Sequence, residues 1–324
     1  MSGIKLVGFG ACVPEKRMTN DDFSKIIDTT DEWIVSHTGI EERRFCESET
    51  HSQLCIEAAK SALLHAKVSP EEIGICLVAT LSGEYFTPSA ACVVQAALGL
   101  SSDTICFDIN AACSGFISAL HTAQCLLGAS EKRYALVIGA EVLSRFINFE
   151  DRGTCILFGD GAGAAVAEFG EDYPSICAEL GSCGDAEILQ IVGVGKNEPN
   201  YLKMKGTAVF KFAVETVPKC MDAVLEKANL TLEDIDIFAF HQANARIIDT
   251  IVKRRELPAE RCFKNIQKYG NTSAASIPLL LSELYEGGEL KNGARMLLLG
   301  FGGGLTWGGA VMSFGERMGK AHEA

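Results

Sequence analysis

No CxxC pair occurs among the thirteen cysteines of this 324-residue sequence, so neither a zinc ribbon nor a thioredoxin-type site is supported. An odd cysteine count in a long chain also argues against a disulfide framework. Most of the thiols sit in apolar runs such as CLVAT, CVVQAAL, CFDI and CILF, where they read as small packed hydrophobes. The longest apolar runs, typified by Gly74–Leu81, fall well short of the ~18 residues that a membrane-spanning helix needs. No cluster of Lys and Arg offsets the formal charge of −13, which comes from 29 basic and 42 acidic residues. A nucleic-acid backbone is therefore not expected as a partner. No secretory leader is expected ahead of the strand-like segment Ile4–Phe9, and no low-complexity or Pro/Ser-rich linker interrupts the sequence. What is present is ordinary globular composition, 48% hydrophobic and 22% charged, at a length that predicts about two domains in a cytoplasmic protein.

Apolar runs of strand length alternate with amphipathic stretches of helix length, which predicts an α/β fold. The predicted strands are Ile4–Phe9, Ile73–Ala79, Ile105–Ile109, Tyr134–Ile138, Thr154–Phe158, Ala162–Glu168, Ile235–Phe240, Arg295–Gly300 and Ala310–Phe314. The predicted helices are Asp21–Asp28, His51–Ala66, Ser89–Leu98, Ser114–Leu127, Phe210–Ala228, Ala243–Arg255 and Ala275–Glu286. Asn20 and Thr50 read as N-caps, and Pro88 as the opening of the helix that follows it. Long loops are expected near 143–153 and over Gly181–Leu202. A repeat organises this pattern. VSPEEIGICLV (68–78) aligns with LTLEDIDIFAF (230–240), YALVIGA (134–140) with RMLLLGF (295–301), and FGDGAGAAVAEF (158–169) with WGGAVMSF (307–314), in the same order. Two similar α/β halves, 1–170 and 171–324, related by a pseudo-twofold, would place the functional site where they meet.

In DINAACSGF (108–116) a strand ends, small residues turn, and a helix begins at Cys113 or Ser114. A thiol there faces unpaired backbone N–H groups and the positive end of the helix dipole, which favours thiolate. The alternative is one more packed cysteine. A nucleophilic cysteine calls for a histidine partner. Of the histidines at 37, 51, 65, 121, 241 and 322, only His241 directly follows a buried-type strand and precedes a helix. Open α/β sheets hold their ligands at such strand ends; a core histidine is the other reading. Asn271 in YGNTSAAS reads as a cap or turn residue, or as a polar group of the site. The glycines of GFGGGLTWG (300–308) allow close backbone approach and an N–H aimed at an oxyanion. No Lys-Ser/Thr follows them, so a P-loop is excluded.

Cys113 in AACSGF, His241 in HQAN, Asn271 in GNTSAAS and the closing GFGGGLTWG together resemble the β-ketoacyl-acyl-carrier-protein synthase III family. The likeness extends over nearly the whole chain, through DTTDEWIVSHTGIEERR (28–44), PSAAC (88–92) and DRGTCILFGDGAGAAV (151–166). This resemblance implies a thiolase-like fold of layered αβαβα halves. It also implies a condensing acyltransferase that joins an acyl-CoA primer to malonyl-ACP through an acyl-Cys113 intermediate, opening fatty acid biosynthesis. The N–H groups of Cys113 and Gly303 would form an oxyanion hole. His241, neutral and protonated on Nε2, and Asn271 would donate to the malonyl thioester oxygen, with Phe301 keeping the site dry. Trp33 and Arg152 would sandwich the CoA adenine, with Thr29, His37 and Asn244 nearby. Gln242, Ala243, Asn244, Ala245 and Arg246 would form the carrier-protein docking segment, helped by Lys211, Lys253, Arg254 and Arg255. No metal or redox cofactor is implied, CoA arrives as part of the substrate, and the family acts as a homodimer.

Two positions depart from the family's common pattern. His37 stands where many members have Arg, which makes one CoA contact weaker or pH-dependent. Thr87 stands where some acetyl-preferring members have Phe reaching into the partner subunit's acyl pocket, which leaves room for a longer or branched primer. A synthase III relative serving a specialised pathway, and a non-catalytic thiolase-fold subunit, are the competing readings. The second would be expected to have lost Cys113, His241 or Asn271.

Overall fold

The apolar runs Ile73–Ala79 and Tyr134–Val142 have no exposed residue on either face, so each needs a covering layer on both sides. The computed structural model, which describes residues 2–193 and 199–315, provides these layers. Its strands are β1 (Gly3–Cys12), β2 (Arg17–Thr19), β3 (Glu42–Arg44), β4 (Ile73–Ala79), β5 (Ile105–Ile109), β6 (Tyr134–Val142), β7 (Asp160–Gly170), β8 (Cys177–Asp185), β9 (Leu189–Ile191), β10 (Leu202–Met204), β11 (Ile237–Phe240), β12 (Arg295–Gly302) and β13 (Gly304–Ser313). Its helices are α1 (Asn20–Ser24), α2 (Asp31–Thr38), α3 (His51–Ala66), α4 (Ala90–Leu98), α5 (Gly115–Leu127), α6 (Arg152–Cys155), α7 (Gly206–Ala228), α8 (Ala245–Arg254), α9 (Ile266–Tyr269) and α10 (Ser276–Glu286).

One sheet has the order β1-β7-β6-β4-β5 and the other β11-β12-β13-β8. Alternation along each strand sorts its side chains into two cores. On one face of the first sheet, Cys76, Val78, Leu136 and Ile138 pack under α3 through Leu54, Ala58 and Ala62. On the other face, Ile75, Leu77 and Val137 meet α5 and α10, whose far side rests on Met296 and Leu298 of the second sheet. Leu297, Leu299, Phe238 and Phe240 then turn outward against α7 and α8. The result is five layers, αβαβα, with one helix from each half at the centre. The repeat extends to its caps. Ser69 and Glu72 form a capping box ahead of β4, and Thr231 and Asp234 form another ahead of β11.

Several expectations change in detail. Thr154–Phe158 is not a strand: Asp151 accepts from Gly153 N–H and Thr154 Oγ1, capping the short α6, and the apolar residues after it fold inward. A brief apolar run does not distinguish strand from buried turn by periodicity. Thr19, not Asn20, caps the first helix. The buried Asn20 side chain instead holds Asp31, the Ile40 carbonyl and Arg43. Ser89 caps α4, next after Pro88. The helix α2 was not expected, and Gly181–Leu202 contains the end of β8 and the β9–β10 pair; residues 194–198 within it lie outside the described residues. None of the cysteines is disulfide-bonded, and Cys125 and Cys183 are exposed rather than packed. No helix among the described residues is long and apolar enough to cross a membrane.

Candidate active site

β5 ends at Ile109, and Ala112 adopts a left-handed φ of 45° that turns the chain through a single 3-10 turn, Ala112–Ser114, into α5. Cys113 is thereby presented at the entry of a central helix and is 7% exposed. From the other half, Gly302 closes on it. A Cβ at that glycine would stand 2.7 Å from Cys113 N and 2.9 Å from Cys113 Cβ, so this approach requires glycine. Burial pushes the Cys113 thiol up to about 12, against a downward pull from the Ser273 hydroxyl. The expected resting thiolate is therefore not what the structure favours. Loss of water around the sulfur outweighs the helix end.

His241 follows β11 and is fully buried, which pulls its imidazole down to about 3 and keeps it neutral at physiological pH. Its Nδ1 lies 2.6 Å from Ser276 Oγ, an oxygen that also receives Gln242 N–H at 3.4 Å. Phe301 sets its ring edge-on to the imidazole, centroids 5.4 Å apart. Asn271 is held by its backbone between Leu157 O and Gly159 N–H, at 2.8 and 3.0 Å. Its Oδ1 accepts Ser273 N–H at 2.9 Å, so it is a turn residue as well as a cavity wall.

Cys113, His241, Asn271 and Phe301 line one cavity of about 220 Å³ that runs to Trp33, His37 and Asn244. Cys113 also borders a second cavity, about 570 Å³, together with Gly303, Ser82 and Phe86. The turn that carries Cys113 thus stands between two spaces, a smaller one that holds His241 and Asn271 and a larger one bordered by Gly303.

Residues 107–184 match the family model described as 3-oxoacyl-[acyl-carrier-protein] synthase III, and residues 225–314 match the model of its C-terminal part. The β-ketoacyl-[acyl-carrier-protein] synthase III of Clostridium acetobutylicum is 44% identical, over 97% of this chain and 99% of its own. The chain belongs to the synthase III family. The crystal structure of 3-oxoacyl-[acyl-carrier-protein] synthase III from Aquifex aeolicus matches with a TM-score of 0.89 and 44% identity, covering 95% of this chain and 99% of that one. The priming β-ketosynthase of the R1128 polyketide biosynthetic pathway matches at TM-score 0.91 and 34% identity, covering 98% and 97%. The layered architecture of this synthase III chain is accordingly the thiolase-like fold.

Around the centre of this synthase III chain, the structure sorts the remaining candidates. The Arg152 guanidinium lies 4.5 Å over the Trp33 ring and donates to Asp28 O at 2.9 Å. His37 stacks on the same indole at 4.3 Å, so the residue that replaces Arg extends the aromatic platform. Thr29 Oγ1 is buried with no hydrogen-bond partner. Asn244 caps α8 through Oδ1 and donates to His37 O at 3.1 Å, tying α2 to α8. Thr87 is exposed and lines neither cavity of its own chain. The docking segment needs correction. Gln242 and Ala243 are buried, and the Gln242 amide is spent on Phe240 O and Asn265 N–H. Ala245 is half-buried, facing Gly39. Arg246, Lys211, Lys253 and Arg254 are exposed, while Arg255 is paired with Asp222. His322 lies outside the described residues. Three residues at the site were not singled out beforehand: Ser276, Ser273 and Glu141. For Glu141 a signal existed, since it is a carboxylate ending the apolar run YALVIGAEV.

Proposed function

We propose that this chain catalyses the decarboxylative Claisen condensation of an acyl-CoA primer with malonyl-ACP, giving 3-oxoacyl-ACP, CO₂ and CoA at the start of fatty acid biosynthesis. The observation that carries this reading is the convergence of Cys113, His241 and Asn271 on one cavity that leads to Trp33, in a synthase III chain. Cys113 sulfur attacks the thioester carbon of acyl-CoA. The C–S bond to CoA breaks, and the thiol proton of Cys113 ends on the departing CoA sulfur. The N–H groups of Cys113 and Gly303 stabilise the oxyanion on the way. Malonyl-ACP then occupies the vacated cavity. Its carboxylate leaves as CO₂, and the electron pair delocalises onto the thioester oxygen, which accepts from His241 Nε2–H and the Asn271 NH₂. The resulting carbanion attacks the acyl carbon, and Cys113 leaves as thiolate and takes a proton from solvent.

The neutral imidazole suits that donor role. On this reading the Ser276 hydroxyl, 2.6 Å away, donates to Nδ1, which leaves the imidazole proton on Nε2. The equation balances without a metal or a redox cofactor, and CoA enters as part of the substrate. Trp33, Arg152, His37 and Thr29 form the adenine end, where the unpartnered Thr29 hydroxyl supports a ligand contact. The exposed cations Arg246, Lys211, Lys253 and Arg254 of α7 and α8 face the acidic carrier protein, in a cytoplasmic enzyme whose net charge is otherwise −13. Two copies pair through β5. It is the edge strand of the first sheet, its Ile105 is 46% exposed, and Phe86 nearby in the chain is 93% exposed. In that dimer Thr87 reaches the partner's second cavity and admits longer or branched primers.

Intact-protein mass after acetyl-CoA, then after malonyl-ACP, tests the reading. An acetyl adduct on Cys113 that disappears as acetoacetyl-ACP forms is the expected result. An adduct that malonyl-ACP leaves in place points to a priming role with another acceptor, as the polyketide-pathway relative suggests. No adduct with acetyl-CoA or any larger primer ends the proposal.

A further inference from the structure

Glu141 is wholly buried at the end of β6, and the partners of its carboxylate among the described residues are hydroxyls and a backbone N–H. A carboxylate in such a place is costly unless hydrogen bonds satisfy it. Oε2 is saturated by the loop after β4, accepting from Ser82 Oγ, from Leu81 N–H at 3.2 Å and from Thr80 Oγ1 at 3.3 Å. Oε1 reaches across to the other half and accepts from Ser273 Oγ at 3.2 Å. Ser273 has φ of 50°, a left-handed conformation that a non-glycine residue holds only when its surroundings impose it. Its N–H is the group that engages Asn271 Oδ1. Since an amide carries its oxygen and its NH₂ on opposite arms, holding Oδ1 decides where the NH₂ points.

The pseudo-twofold supplies an internal control. The residue 161 positions after Glu141 is Gly302, and the residue 161 positions before Ser273 is Ala112, so the twin site has neither the acid nor the hydroxyl. Its strand end and its turn still form, which means that the carboxylate is not needed to build this architecture. The equivalent bond there, Ala112 N–H to Asn110 Oδ1, is 3.3 Å, against 2.9 Å where the acid is present. We infer that Glu141 is a positioning residue for the decarboxylation step: through Ser273 it fixes the Asn271 amide with its NH₂ toward the malonyl thioester. The inference rests on Asn271 acting as a donor to that thioester.

Single-turnover measurements separate the two steps. The rate of acetyl-Cys113 formation is read first, and CO₂ release from malonyl-ACP is then read on the pre-acetylated enzyme. Glu141→Ala is expected to acylate within about threefold of the wild type. Its CO₂ release should be slower by about 10- to 100-fold, with KM for malonyl-ACP little changed, the scale of a misplaced catalytic group. Glu141→Gln can offer its amide oxygen to the three donors and its NH₂ to Ser273 Oγ, so it should recover most of that loss. Ser273→Ala should slow CO₂ release as Glu141→Ala does, and the double variant should be no slower than the slower single, because one link is cut twice. Should Glu141→Ala not fold, the Gln and Ser273 variants carry the test. Losses that are additive, or that fall equally on both steps and track Tm, would overturn the inference. A wild-type enzyme that forms no acetyl-Cys113 would remove the functional reading beneath it instead.

Discussion

The turn that carries Cys113 and the turn that follows Asn271 are the same backbone device used for two purposes. Each begins with an asparagine whose Oδ1 accepts the N–H two residues on, Asn110 to Ala112 and Asn271 to Ser273. Each then takes one residue through positive φ, 45° and 50°, and enters a central helix by a single 3-10 turn. Each is also pressed by a glycine from the opposite half. A Cβ at Gly300 would lie 3.4 Å from Cys113 O, and one at Gly139 would lie 2.2 Å from Ala274 O. What differs is the filling. Cys113 corresponds to Ala274 and Gly302 to Glu141, each pair 161 residues apart, while His241, next after the Phe240 that matches Val78, falls opposite Ala79. Asn110 is exposed, whereas Asn271 is buried in the cavity that also holds His241. On the proposed function, a duplicated frame serves a two-step site by dividing the labour, nucleophile from one half and donors from the other.

The sharpest break in that comparison is Cys113→Ala, expected to lower condensation by about 10³-fold or more and to abolish the acyl adduct in an intact-mass measurement. Asn271→Ala should leave the adduct and slow its consumption by about 10²-fold or more, as loss of an oxyanion donor does. Its twin Asn110→Ala loses only a turn bond, costing about 1 kcal/mol of stability by denaturant titration and less than about threefold in rate. Equal losses at the two asparagines would mean that both are merely turn residues. Gly302→Ala and Gly139→Ala should each destabilise by about 1–3 kcal/mol through overpacking. The former should slow mainly acylation, by about tenfold, and the latter mainly the malonyl step, which stopped-flow CoA release and CO₂ release would separate.

A last effect concerns pH. His241, lowered from 6.5 to about 3, binds fewer protons folded than unfolded between those values, so its contribution to stability is lost as pH falls through that window. Glu141, raised from 4.5 to about 7, binds more protons folded, so its contribution is lost as pH rises through that window. The two slopes oppose one another between pH 4.5 and 6.5. In His241→Gln the Glu141 slope stands alone, and stability relative to the wild type should fall with rising pH there by roughly 1 kcal/mol per unit, read from urea midpoints.

Much of this could be read from the residues because chemistry and backbone coincide at them. His241 follows an apolar strand directly and Cys113 follows one through a short turn of small residues, and VSPEEIGICLV and LTLEDIDIFAF repeat one another ahead of and along matching strands. Asn271 was ambiguous for a physical reason: it is a turn residue and a cavity residue at once. Glu141 and Ser276 escaped notice because their meaning lies in partners far away in sequence, Ser273 for one and His241 for the other. Gln242 entered the docking segment only through the family resemblance, whereas here its amide satisfies buried backbone groups. The helix α2 carried a usable signal in Thr30, whose hydroxyl accepts Trp33 N–H, ahead of the acidic pair Asp31 and Glu32.

The placing of Cys113 between two cavities sets the order of events at the bench. On the proposed function, a primer parked on sulfur with its chain in the larger space leaves the passage past Trp33 to be emptied before the second thioester can use it. The first product therefore departs before the second substrate arrives, and initial-rate plots at varied primer should run parallel. On the same reading, the shared doorway makes free CoA a competitor of its successor.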